Sequence, residues 1–60
     1  MAWVAVDYDG TEWIYRIQPF RGETHFKTNS ECAELPKDSI VKLIGKELSW
    51  EDEPIELKKN

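Results

Sequence analysis

The sequence predicts a small α+β domain, and three observations carry that prediction. An Asp9-Gly10 pair separates two segments rich in β-branched and aromatic residues, the pattern of an antiparallel hairpin. Apolar residues then recur at helical spacing at 40, 43 and 44. An alternating segment at 55–57 predicts a last strand. We therefore expect one small domain over residues 1–60: a three-stranded antiparallel meander, one short helix packed on it and a short C-terminal strand, in the order β-β-β-α-β.

The first hairpin is expected to pair residues 3–7 with residues 12–19. Gly10 suits the turn because glycine adopts positive φ without a steric cost. A two-residue loop pairs Val6 with Trp13, whereas a three-residue loop with a glycine bulge brings Trp3, Ala5, Trp13 and Tyr15 together, because a one-residue slip moves a strand's pattern to the other face. We prefer the two-residue loop for its cleaner apolar face, which consists of Val4, Val6, Tyr8, Trp13, Tyr15 and Ile17 and lies opposite Trp3, Ala5, Ile14 and Arg16.

A second turn at residues 19–22 leads to a predicted third strand at residues 23–28. Phe26 is its one strongly apolar residue, so we expect an edge strand, and Lys27 is a charge that discourages edge-to-edge aggregation. Residues 32–35 can form a short extended run, since Pro36 follows and the residue before a proline avoids helical geometry.

The helix prediction rests on residues 36–45. Pro36 suits the first turn, and Asp38 or Ser39 can cap the free amides. Gly45 supplies a left-handed stop. A helix of about two turns is unstable alone, so it must be held on the sheet by its apolar stripe of Ile40, Leu43 and Ile44. Residues 46–53 remain open between loop and strand, with a capped turn at 49–52.

Three stretches of the sequence carry a family resemblance. They are V-D-x-D-G-x-E-x-I at residues 6–14, L-P-K-x-S-I-x-K-L-I-G at 35–45 and L-S-W-E-D-E-P-I-E-L at 48–57. Together they resemble short uncharacterised proteins encoded by bacterial phages and prophages. The resemblance covers both ends of the chain and omits residues 20–34. It implies a phage- or mobile-element-encoded small protein, and it implies no activity and no functional residue.

Composition narrows the class of protein. The chain has a net charge of −4, and 33% of its residues are charged, a soluble globular balance. One cysteine, Cys32, and one histidine, His25, provide neither a disulfide nor a cysteine-based zinc site. No apolar run approaches the roughly 18 residues of a membrane span, and the N-terminus lacks a signal peptide's basic region. We expect a cytoplasmic protein without membrane contact, cofactor or metal.

An enzyme is the least favoured class. Cys32 and His25 lie across a predicted loop from each other, and a catalytic pair requires hydrogen-bond geometry and an orienting third group. We therefore expect no catalytic residue. The Asp7-x-Asp9-Gly10 fragment lacks the further ligands of a calcium loop, and the acids at 51–56 are expected to form a solvated turn.

The aromatic residues point to a binding role. Three tryptophans, two tyrosines and two phenylalanines in 60 residues can exceed what a thin core hides, and aromatic side chains with arginine are typical of interface hot spots. The leading hypothesis is a non-enzymatic module that binds another protein, or itself as a homodimer. Its candidate partner-binding residues are Trp3, Arg16, Phe20 and Arg21. The competing interpretation is that these rings simply cover the core of a small protein.

Two other functions remain open. An acidic inhibitor or nucleic-acid mimic would act through the carboxylates at 51–56 with Glu31 and Glu34. A weak nucleic-acid binder would use Arg16, Arg21 and Lys27, although nucleic acid is an improbable partner for a chain of net charge −4, because phosphate affinity comes from basic residues.

Overall fold

A computed structural model describes residues 1–58 of the chain, so the last two residues of the predicted domain lie outside the described residues. The described part contains six strands and one helix. Their bounds are β1 Trp3–Val6, β2 Glu12–Tyr15, β3 Phe20–Arg21, β4 Phe26–Lys27, β5 Cys32–Leu35, α1 Ser39–Ile44 and β6 Ile55–Glu56.

The strands form two antiparallel sheets. The main sheet has the order β5-β2-β1-β6, and β3 pairs only with β4. The α+β class with antiparallel strands and one short helix is therefore confirmed, but the predicted β-β-β-α-β meander is wrong. The third strand of the main sheet is β5, not residues 23–28. Instead, Phe26–Lys27 pairs with Phe20–Arg21 in a separate hairpin, and this arrangement buries Phe26, the one strongly apolar residue of the segment, on one face of the main sheet.

The preferred register of the first hairpin is also wrong. Trp13 pairs with Ala5 and Tyr15 pairs with Trp3, as the three-residue loop requires. The backbone N–H of Asp7 donates to the Thr11 carbonyl at 2.9 Å, and Gly10 takes a φ of 89° inside the loop. Only a residue without Cβ adopts that conformation freely. Compared with the preferred register, this pairing is shifted by one residue. Trp13 and Tyr15 therefore share a face of the sheet with Trp3, whereas Ile14 and Arg16 lie on the opposite face.

One face of the main sheet, here called the helix face, packs against α1. It buries Val4 and Val6 around Ile40, which is 2% exposed, while Ile44 is half-buried against the same cluster. The prediction that Leu43 also faces the core is wrong, because its side chain is 54% exposed. Ile40 and Ile44 stand one turn apart on the same side of this six-residue helix, and both pack on the cluster.

The C-terminal end of the helix agrees with the prediction from the sequence, whereas its N-terminal end differs from it. Gly45 ends it as predicted, with a φ of 79° and its N–H bonded to the Val41 carbonyl. Asp38 occupies the N-cap position, but its φ is 69° and its side chain makes no cap. The carboxylate of Glu12 caps the helix instead: Oε2 accepts the Asp38 N–H at 2.6 Å, and Oε1 accepts the Ile40 N–H at 2.7 Å. The helix is therefore tied to β2 at its start.

The opposite face of the main sheet, here called the hairpin face, is covered by the β3–β4 hairpin. Ala5, Tyr15 and Phe26 are buried there. Two hydrogen bonds hold the hairpin against the β1–β2 loop, from the Tyr8 N–H to the Thr24 carbonyl at 3.0 Å and from the Phe26 N–H to Asp7 Oδ1 at 2.9 Å. Partly buried aromatic rings complete this second cluster, namely Trp3, Trp13 and Trp50.

Residues 46–53 contain no strand, and the predicted turn at 49–52 is confirmed. The Asp52 N–H donates to the Ser49 carbonyl at 3.0 Å, and the Ser49 N–H donates to Asp52 Oδ2 at 2.9 Å. The turn presents the Trp50 ring to Phe26 in an edge-on contact, with the centroids 5.1 Å apart.

Candidate partner-binding surface

Arg21 joins the β3–β4 hairpin to the turn at residues 49–52. Its guanidinium lies over two rings, 4.6 Å from the Trp50 centroid and 4.8 Å from the Phe26 centroid. Nη1 donates to the Trp50 carbonyl at 2.6 Å, and Nη2 donates to the Asp52 carbonyl at 3.1 Å and to Glu53 Oε2 at 3.2 Å. Planar fork geometry suits arginine to such combined stacking and bonding. Arg21 therefore has a structural role in this fold.

An open cleft of about 470 Å³ lies on the hairpin face, between the main sheet and the small hairpin. Its size is typical of a site that receives a side chain or a small molecule. Four Trp, Tyr and Phe rings line it beside five polar or charged side chains. We call it the aromatic cleft, and we define it by Trp13, Tyr15, Phe20, Phe26 and Cys32.

Two features make the aromatic cleft unusual for the packed side of a sheet. Phe20 is 52% exposed although it lies beside three other rings. The indole Nε1 of Trp13 is buried without a hydrogen-bond partner among the described residues. A buried donor normally finds an acceptor. The cleft therefore exposes aromatic surface at Phe20, and the Trp13 indole that also lines it carries a donor without a partner among the described residues.

Tyr15 lines the aromatic cleft but is almost fully buried. It is 3% exposed. Burial raises the pKa of its phenol well above the ordinary value, and the nearby carboxylate of Asp7 raises it further. The phenol therefore stays neutral over the whole physiological range. On the β1–β2 loop, the pKa of Asp9 is lowered, chiefly because the carboxylate accepts hydrogen bonds from Thr11.

The four predicted partner-binding residues do not share one location. Phe20 lines the aromatic cleft, and Arg21 holds Trp50 as described. Trp3 is half-buried against the second core cluster. Arg16 follows Tyr15 and so turns to the helix face, opposite Trp3, where Nη1 lies 3.3 Å from Glu31 Oε1. The corrected register thus separates Arg16 from Trp3.

The acidic residues are distributed around the domain. Glu34 lies on β5 and Glu56 on β6, at opposite edges of the main sheet. Three inter-strand spacings separate them, about 14 Å in all. Glu31 and Glu53 are paired with arginines, and Asp52 bonds within its own turn. These carboxylates form no single row.

The basic residues of the nucleic-acid alternative are also dispersed. Arg16 lies on the helix face, Arg21 is engaged with Trp50, and Lys27 lines the aromatic cleft. Arg21 and Lys27 share the β3–β4 hairpin, but the Arg21 guanidinium is bound to residues 50–53 and Arg16 lies apart, so the three do not form the continuous positive surface that follows a phosphate backbone.

His25 and Cys32 both line the aromatic cleft. Within residues 1–58 no hydrogen bond joins them, and the His25 ring lies 3.3 Å from the Thr24 hydroxyl instead. Cys32 is an exposed thiol. The described residues contain no group of three or more His, Cys, Asp or Glu side chains placed to hold a metal ion.

Sequence reasoning found Phe20 but missed Trp13, Tyr15 and Cys32 as cleft residues. The signal was present in the glycine-bulge register, which places Trp13 and Tyr15 on the side of Trp3. Glu12 was missed altogether, because its partners on the helix lie 26 and 28 positions away.

The one helix in the described part of the chain, α1, is not long and apolar enough to cross a membrane. No known protein family, curated protein or solved structure matches the chain. The kinship with phage-encoded proteins therefore stays a prediction.

Proposed function

We propose that this chain is a non-enzymatic protein-interaction module that binds its partner at the aromatic cleft. The observation that carries the proposal is the exposure of Phe20, 52%, beside a cleft of about 470 Å³ lined by further rings. Exposed aromatic side chains around a concavity are the residues that anchor interfaces.

The proposal revises the predicted contact set. It keeps Phe20 at its centre and adds Trp13. It assigns Arg21 to positioning, because that side chain holds the hairpin that forms one wall of the cleft. A cytoplasmic location belongs to the same proposal, since an exposed free thiol such as Cys32 stays reduced there.

The proposal is tested by comparing two exposed aromatic positions. Immobilised wild type, F20S and Y8S are used to capture proteins from cells of the native host. Tyr8 is the matched control, because it is 71% exposed and does not line the aromatic cleft. We expect a partner that is retained by wild type and Y8S and lost by F20S, with circular dichroism and thermal unfolding showing that both variants are folded.

The proposal fails if F20S retains every protein that wild type captures, or if wild type captures none and also sediments as a monomer at high concentration. The sedimentation arm covers the case in which the partner is a second copy of the chain, since association of a small domain depends on its concentration.

A further inference from the structure

The main sheet has one long open edge in the described part of the chain. β5 spans four residues and pairs only with β2. The other edge, β6, spans two residues and follows Pro54, whose nitrogen has no hydrogen to donate. An edge strand with unpaired backbone groups is a template for another strand. β5 is therefore the place where a further strand can join this sheet.

The backbone groups that face outward from β5 can be identified. The Arg16 N–H donates to the Glu31 carbonyl at 3.1 Å, so residue 31 turns its backbone groups toward β2. Bonded and non-bonded pairs alternate along an antiparallel ladder. Residues 33 and 35 consequently also turn toward β2, and the N–H and C=O of Cys32 and Glu34 point away from it. Both residues are exposed.

The side chains of those two residues lie on the hairpin face. Cys32 pairs with Tyr15, and Glu34 pairs with Trp13. Residues of an added strand that lie directly opposite Cys32 and Glu34 place their side chains on the same face. Because Cys32 also lines the aromatic cleft, the side chain opposite it reaches the cleft, whereas the side chain opposite Glu34 meets a carboxylate.

The charge of the protein indicates which kind of segment can add to β5. The chain carries −4, so a second copy is repelled and a basic segment is attracted. Opposite charges on directly facing strand positions stabilise the pair. The formal charges of Asp7 and Lys27 in the cleft lining offset each other, and the surrounding rings favour an apolar side chain.

This inference rests on the proposed function. We propose that the partner supplies an extended segment that adds to β5 as an antiparallel strand. It bears lysine or arginine opposite Glu34 and, two residues later, an aromatic or large aliphatic residue opposite Cys32. The basic residue comes first because the added strand runs against β5. Backbone bonds to Cys32 and Glu34 supply affinity, while the two side chains supply specificity, as in other cases of strand addition.

The test uses short synthetic peptides rich in threonine and valine, with binding measured by calorimetry. One peptide carries lysine two positions before phenylalanine, a second reverses their order, and a third replaces the lysine with glutamate. Wild type should prefer the first peptide to the third by roughly twofold to tenfold, the effect of exchanging an attractive cross-strand charge pair for a repulsive one. E34K should reverse that preference, and E34Q, the variant to use if E34K does not fold, should abolish it.

The proposal is overturned if no peptide binds, if E34K and wild type rank the peptides alike, or if the reversed order binds best. Sedimentation of wild type alone as a dimer overturns it too, because the edge would then serve a second copy. If no peptide binds while capture by the aromatic cleft still depends on Phe20, strand addition is wrong and the proposed function stands. If peptides bind equally to F20S and F20S also retains every protein that wild type captures, the edge works without the cleft and the proposed function fails.

Discussion

Arg21 lies over the indole of Trp50, with Cζ 4.6 Å from the ring centroid, and its Nη1 donates to the backbone carbonyl of the same residue at 2.6 Å. One side chain thus fastens the β3–β4 hairpin to the turn that follows the helix. The hairpin forms one wall of the aromatic cleft, so the contact between these two residues maintains the candidate binding surface.

Replacing Arg21 should therefore loosen the hairpin. We expect R21A to lower the free energy of unfolding by about 1–3 kcal/mol, the contribution of charge-assisted hydrogen bonds and a half-desolvated cation–π contact. R21K should recover only part, since an ammonium group lacks the planar fork. Urea unfolding measures both effects.

The matched control for that prediction is R16A. Arg16 and Glu31 form an ion pair with side chains 72% and 85% exposed, and exposed pairs contribute about 0–1 kcal/mol. If R16A costs as much as R21A, the structural role of Arg21 is contradicted.

Glu12 provides a second long-range lock, between β2 and the start of α1. Its carboxylate accepts two backbone N–H groups, from Asp38 and Ile40. We expect E12A to destabilise the fold by about 1–3 kcal/mol, because two helix-start amides lose a charged acceptor. E12Q keeps one acceptor oxygen, so its free energy of unfolding should lie between those of wild type and E12A. Chemical denaturation of E12A beside E47A, a change at an exposed glutamate, checks this; equal losses would contradict the capping role.

Glycine should stabilise the fold relative to alanine at position 38 and destabilise it at position 37. Asp38 has a φ of 69°, a region that costs an ordinary L-residue about 1–2 kcal/mol. D38G should thus be more stable than D38A by about 1 kcal/mol. Lys37 does not have a positive φ, so K37A should be more stable than K37G. Thermal unfolding of the four variants measures these differences. If glycine and alanine rank in the same order of stability at both positions, the positive φ of Asp38 is contradicted.

Tyr15 makes stability depend on alkaline pH. Burial, first among the causes, raises its pKa above the ordinary value of 10.0. A raised folded pKa stabilises the protein fully below the unfolded pKa, and that contribution is lost as pH rises beyond about 10. We expect Y15F to lose less unfolding free energy than wild type above this pH. Subtracting the phenolate absorbance of Y15F from that of wild type isolates the ionisation of Tyr15. This signal should appear only as the protein unfolds. Its appearance near pH 10 in the folded protein would contradict the burial of Tyr15.

Local signals in the sequence predicted the local structure well. The Asp9-Gly10 turn, the Gly45 helix stop and the turn at 49–52 each depend on residues within a few positions, and all three are present. Register was harder, because Gly10 fits both loop lengths. The face of every strand residue depends on that one choice, so the wrong loop placed Trp13 and Tyr15 away from Trp3.

The candidate surface depended on contacts that no local pattern contains. Residues 16–31 carry few apolar side chains, and only the folded sheet shows that Phe26 is buried on its hairpin face. Arg21 reaches Trp50 across 29 positions of the chain. Its pairing with aromatic rings was predicted as an interface feature, while the structure uses it to fasten two segments of the same molecule.

Amide hydrogen exchange at β5, followed residue by residue by NMR, tests the central claim most directly. In the free protein, the outward N–H groups of Cys32 and Glu34 should exchange fast, while those of Ala33 and Leu35, which face β2, should be protected. Adding the peptide with lysine two positions before phenylalanine should slow exchange at Cys32 and Glu34. Unchanged exchange at both residues in the presence of saturating peptide would contradict the account.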